Sequence, residues 1–82
     1  MRVSVKWVCI NTRESVTQMC PVKAPLSALK VVALADLPGV SPDQAARFVV
    51  KKTPTGAALD EKQNLEGLGI TSNGSSLYLA MA

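Results

Sequence analysis

The chain has 82 residues, 48% of them apolar and 18% charged, with a formal net charge of +3. That is too apolar for a disordered segment and short enough for one domain, residues 1–82, burying about two-thirds of its unfolded surface; a deep pocket beside the core is excluded, and function belongs on the surface. No apolar run reaches the roughly 20 residues of a membrane span, since the longest, near Val31 to Leu37, contains Asp36 and runs into Pro38.

The opening residues alternate from the start. Val3, Val5, Trp7 and Cys9 take one side and Ser4, Lys6 and Val8 the other, the period of two of a half-buried strand. This places Trp7 in the core, and an exposed Trp7 would instead be the best interface anchor in the chain. The same alternation leaves no basic stretch followed by a continuous apolar segment, so no secretory signal is read and a cytoplasmic or nuclear location is expected.

Asn11 to Glu14 has turn composition, and Ser15 to Cys20 returns as a second strand. Val16 and Met19 are out of phase there, which predicts a bulge or an early exit from the sheet. Cys9 and Cys20 could then meet across the hairpin, as free, half-buried thiols.

Pro25 opens a helix predicted from Leu26 to Leu37. Leu26, Leu29, Val32, Ala33 and Leu37 are assigned to its buried face, with Ser27, Lys30 and Asp36 turned outward. Pro38-Gly39 stops it. Val40 to Gln44 reads as a turn, Arg47 to Lys51 as a third strand, and Ala57 to Asp60 as a very short one. Glu61 to Gly69 is expected to lay a helical turn over the core through Leu65 and Leu68. Asn73-Gly74 reads as a hairpin turn into a last strand, Ser76 to Met81, where Leu77 and Leu79 alternate with Tyr78 and Ala80. A hairpin followed by a helix and further strands packs most simply as a mixed sheet over one face of the helix.

The residues that carry chemistry are sparse. There is no His and only two Cys, so no nucleophile has a base and no plausible metal-ligand set exists. Glycines form no phosphate-cradling loop. Catalytic residues, metal, cofactor and small-molecule substrate are all expected to be absent. The nine basic residues are spread along the chain with three aromatics in all, against the dense stripe that nucleic acid requires. Arg47, Lys51 and Lys52 would carry a nucleic-acid or membrane-surface contact if one existed, with steep salt dependence.

Four segments together resemble ubiquitin-like domains: Arg2 to Lys6, Gly39 to Gln44, Arg47 to Val50, and Leu65 to Ile70 with Gly74 to Leu79. Their order and spacing, across almost the whole chain, carry the likeness. Pro25 to Lys30 is similar to the corresponding stretch of the ubiquitin-fold modifier, and Gly69-Ile70 with Asn73-Gly74 to ubiquitin-like domains embedded in larger proteins. The resemblance implies an α+β fold: a β-grasp roll with a mixed four- to five-stranded sheet on one main helix. It also implies a non-catalytic module that binds another protein through the sheet face turned from the helix, carried here by Val8, Arg47, Val49, Lys51, Tyr78 and Ala80. Ala80 offers little apolar area, which favours a partner of its own over a general ubiquitin receptor. The chain closes on Leu79-Ala80-Met81-Ala82 without the terminal glycine that conjugation activates. The expectation is therefore an embedded adaptor module, the alternative being a lysine-conjugated modifier lacking its glycine tail.

Overall fold

The computed structural model describes residues 1–81; Ala82 of the closing segment lies outside the described residues. Strand β1 (Arg2–Cys9) turns back into β2 (Ser15–Pro21), helix α1 (Leu26–Asp36) follows, a 3₁₀ helix (Pro42–Arg47) leads into β3 (Phe48–Lys51), and a long connection returns to β4 (Ser75–Met81). The sheet order is β2-β1-β4-β3, with β1 and β4 parallel at the centre and antiparallel strands at both edges. This is the expected α+β roll, at four strands. Ala57 to Asp60 contributes only an isolated bridge, Lys51 to Ala58, together with the Leu59 N–H donating to the Val50 carbonyl. It covers the edge of β3 without extending the sheet.

The alternation in β1 predicts its faces correctly. Val3, Val5, Trp7 and Cys9 are buried with Leu77 and Leu79 of β4 and Phe48 and Val50 of β3, against Leu26, Leu29, Ala33 and Leu34 of α1. The indole N–H of Trp7 is buried without a hydrogen-bond partner among the described residues. It lies toward the Cys20 thiol, a soft and weak acceptor, and the contact falls short of hydrogen-bond geometry.

Strand β2 corrects the expected bulge. Its pairing with β1 is continuous from Arg2 opposite Pro21 to Val8 opposite Ser15. In this register Val16, Gln18 and Cys20 face the core side and Met19 faces away, 58% exposed. The phase conflict resolves because Gln18, a polar residue, takes an inward position and spends its amide on the helix, donating to the Val32 carbonyl and to Asp36. The same register parts the two cysteines. Cys20 pairs with Val3, at the far end of β1 from Cys9, so the two thiols stand about 20 Å apart along the strand and are fully buried, not half-buried.

Helix α1 buries Leu26, Leu29 and Ala33, and its C-cap Leu37, as expected and departs from its expected faces at Lys30 and Val32. Lys30 is buried, 5% exposed, and Leu34 is buried with it, whereas Val32 is 55% exposed. Positions 26, 30, 33, 34 and 37 form one stripe at helical spacing, and Lys30 falls inside it. Charge alone had assigned it outward. The helix ends at Asp36, one residue earlier than expected, with the Leu37 N–H closing on Ala33 and Leu34 and with Gly39 at φ 79°. At the other end Pro25 is the N-cap and provides no side-chain cap. Two of the unpaired N–H groups of a helix start, those of Leu26 and Ser27, donate instead to the Gln63 and Glu61 carbonyls.

The remaining segments also sharpen. Arg47 ends the 3₁₀ helix, so the third strand begins at Phe48. The expected helical turn is present as a run of turns in which the Leu68 N–H reaches the Asn64 and Leu65 carbonyls, with Leu65 fully buried. Asn73-Gly74 makes no hairpin, because β4 has no antiparallel strand before it. Asn73 Oδ1 accepts from the Ser4 N–H at 2.9 Å and the Gly74 N–H donates to the Ser4 carbonyl, aligning β4 parallel to β1; Gly74 sits at φ 95°.

Candidate functional site

Residues opposite one another in a sheet share a face, so the register defines what the outer face presents. Val8 of β1 lies opposite Tyr78 of β4, which lies opposite Lys51 of β3. In the neighbouring row Ala80 lies opposite Val49. Five of the six expected site residues therefore fall on one continuous patch, on the side of the sheet away from α1. Val8, Val49, Lys51 and Tyr78 are half-buried, as expected of side chains lying flat on a sheet. Ala80 is 8% exposed although it faces outward, so it forms the floor of the patch rather than a point of contact. Arg47 is exposed beside this group, immediately ahead of β3.

The pairing adds residues that sequence reasoning missed. Lys6 lies opposite Ser76 and next to Thr17, while Arg2, Ser4 and Met19 continue the same face. Alternation within β1 already assigned Lys6 to this face; what the sequence lacked was the strand order, which sets β1 directly beside β4. Outward positions of the four strands carry Arg2, Lys6 and Lys51 and no Asp or Glu. The face is basic, with a small apolar centre.

Among the described residues no cavity of ligand size opens, and no group of three or more His, Cys, Asp or Glu side chains converges. No helix is long and apolar enough to cross a membrane. Burial pushes the Cys20 thiol above its ordinary pKa, with the nearby Trp7 indole working weakly the other way, the opposite of what an activated nucleophile needs. Among the described residues one charged side chain is buried, Lys30, held by the Phe48 carbonyl at 3.0 Å and by Glu61 at 2.6 Å. That cluster ties α1 to the start of β3 and to the 61–64 connection, which is a structural role.

A two-strand hairpin, a helix lying across a mixed sheet with a parallel central pair, and a short antiparallel third strand define the topology. The fold is that of ubiquitin-like domains. The ubiquitin-like domain of Dsk2 from Plasmodium falciparum superposes with a TM-score of 0.76 at 15% identity, covering 100% of both chains. The ubiquitin of Caldiarchaeum subterraneum gives 0.73 at 19%, covering 100% of this chain and 95% of that one. The ubiquitin-like domain of the type VII secretion protein EccD1 from Mycobacterium tuberculosis gives 0.62 at 20%, covering 98% of each. No protein-family model matches the sequence, and neither does any curated protein. At these identities the ubiquitin-like likeness is one of fold, so the surface must be read from this chain's own residues.

Proposed function

We propose that residues 1–82 form a non-catalytic protein-binding module, part of a larger protein, that recognises an acidic partner through the outer sheet face. The observation that carries this reading is the patch itself. Val8, Val49 and Tyr78 form a contiguous half-buried apolar centre over the Ala80 floor, bounded by Lys51, Lys6 and Arg2 with no acidic group on the face. Aromatic and apolar anchors ringed by charge are what a small interface requires, and one this size would bury less than about 1,200 Å². The basic rim supplies attraction and orientation for a partner of opposite sign, with binding that weakens as salt rises. The likeness to ubiquitin-like domains of larger proteins supports the embedded reading.

The test is a photo-crosslinking residue placed at Val49 or, as control, at Val31 on the exposed flank of α1, in cells that make the protein. Adducts that form from position 49, not from 31, and that disappear when Val8→Glu is added support the outer face. Adducts from position 31 alone, or from both alike, overturn it. Isopeptide-linked adducts in the same samples would instead mark a conjugated modifier.

A further inference from the structure

The two edges of the sheet are treated differently by the chain. The β3 edge is four residues long, ends in Lys51 with Lys52 just beyond it, and is covered by the bridge to Ala58. The β2 edge is seven residues long, regular in register, and carries no Asp, Glu, Lys or Arg anywhere from Ser15 to Pro21. Charged side chains, bulges and covering loops are the usual defences of an edge strand. Apart from Pro21 at its end, β2 has none of them.

The hydrogen-bond phase fixes which groups point out. The Cys9 N–H donates to the Glu14 carbonyl and the Val22 N–H to the Met1 carbonyl, bracketing the ladder, so residues 16, 18 and 20 bond inward to β1. Ser15, Thr17 and Met19 therefore turn their N–H and C=O outward, and no hydrogen bond among the described residues engages the N–H of Thr17 or Met19. Apolar side chains flank this open row. Met19 is exposed on the outer side, and Val32 is exposed on the helical side, in the same row of α1 as Asp36, which Gln18 holds against β2.

We propose that this edge is a self-association site, at which β2 of a second copy pairs antiparallel around a two-fold axis at Thr17. In that register Ser15 pairs with Met19 of the partner copy, Thr17 with Thr17 and Met19 with Ser15, each pair exchanging both backbone bonds. The uncharged strand is compatible with its own reversed copy, since no like charges are set opposite one another, and the Thr17 pair is a favourable cross-strand match. Sliding the two strands to centre on Gln18 brings Pro21, which has no N–H, opposite Ser15 and leaves that carbonyl without a donor. The Thr17 register leaves Pro21 outside the ladder. The product is one continuous sheet of twice the width with both helices on the same side, their Val32 flanks toward each other. It leaves the patch around Val49 and Tyr78 free, so it stands independently of the partner-binding reading.

The experiment is sedimentation velocity from about 1 µM to 1 mM, the range in which weak associations titrate. Wild type shifts from 8.6 kDa toward twice that mass. Thr17→Pro removes an N–H that bonds to nothing within the monomer, leaving the fold intact while weakening association by about tenfold or more. Thr17→Lys sets two ammonium groups opposite each other and does the same in a salt-dependent way, whereas Thr17→Val leaves the dimer in place. Amide exchange of wild type is the readout that needs no variant: the Thr17 and Met19 amides gain protection as concentration rises. A monomer throughout the range overturns the proposal. So does a dimer indifferent to Thr17→Pro, or one in which those two amides remain unprotected.

Discussion

The two faces of the sheet are made by the same four strands and differ in almost everything else. The inner face is predominantly apolar, with the polar Gln18 near the β2 edge: Val5, Trp7, Leu77, Leu79 and Val50 are wholly buried. The outer face, one residue out of step, is basic and, above its Ala80 floor, exposed or half-buried, with its apolar centre at Val8, Val49 and Tyr78 and a lone Met19 toward the β2 edge. The first face is buried and holds the fold, and the second is the one proposed for partner binding, so substitutions on the two faces should separate stability from binding.

The largest expected effect is on the inner face. Leu77→Ala opens a cavity between β4 and α1 and should cost roughly 2–5 kcal/mol in a denaturant titration. A loss below about 1 kcal/mol would show that the core collapses around the deletion and that the face is less tightly packed than its burial implies.

The charge buried on the helix that packs against that face comes next. Glu61→Ala leaves the Lys30 ammonium, 5% exposed, with only the Phe48 carbonyl. The expected cost is about 1–3 kcal/mol, because Glu61 is itself partly open to solvent and water can enter where it stood. Lys30→Met, which removes the buried charge and keeps the hydrocarbon stem, should cost less than Glu61→Ala. The reverse order would mean that the Lys30 bond to Phe48 matters more than neutralisation of its charge.

On the outer face Val49→Glu should change stability by less than about 1 kcal/mol while removing partner crosslinks from the patch. An unfolded variant would contradict the register that sets Val49 opposite Ala80. The charge itself can be isolated with Lys6→Glu and Lys51→Glu, which should leave the melting behaviour nearly unchanged and weaken capture of an acidic partner most at low salt.

How far the sequence showed this division depends on the element. In β1, and again at Leu77 and Leu79, strict alternation in the sequence names the inner residues. In α1 the helical spacing named Leu26, Leu29, Ala33 and Leu37 correctly and erred at Val32 and Lys30, because apolar residues lie almost all round the helix and the stripe has no sharp boundary. Lys30 was sent outward on its charge, although its spacing fits the buried row of Leu26, Ala33 and Leu37. Its partners explain the difference: Glu61 and the Phe48 carbonyl come from segments far along the chain, and no local pattern announces them. The outer patch was legible for Val49, Tyr78 and Ala80 through the family likeness. Lys6 was missed because its place beside Ser76 follows from a parallel pairing between the two ends of the chain, which turn and helix signals do not encode. Gln18 was hidden for a related reason: a glutamine becomes an inward residue only once a helix carbonyl and a carboxylate stand within reach of it.

The smallest effect tests the inner face at its edge. Burial raises the Cys20 thiol above its ordinary pKa, so between the unfolded and folded values the folded protein holds a proton that the unfolded chain has lost. Stability therefore falls with rising pH in that window. The contribution of this group is fully present below the thiol's ordinary pKa and is lost as pH climbs through the raised folded value. Cys20→Ala should flatten the slope of unfolding free energy against pH above about 9, the ordinary thiol range, at the cost of a small constant loss from the missing sulfur. At pH 7–8 both thiols should resist alkylation in the folded protein and react on unfolding, and no bond should form between Cys9 and Cys20, because Cys20 of β2 pairs with Val3, at the far end of β1 from Cys9. Rapid native alkylation of Cys20 would show that the β2 edge opens far more readily than its regular pairing implies, and it would transfer part of the inner face to the exposed side of the comparison.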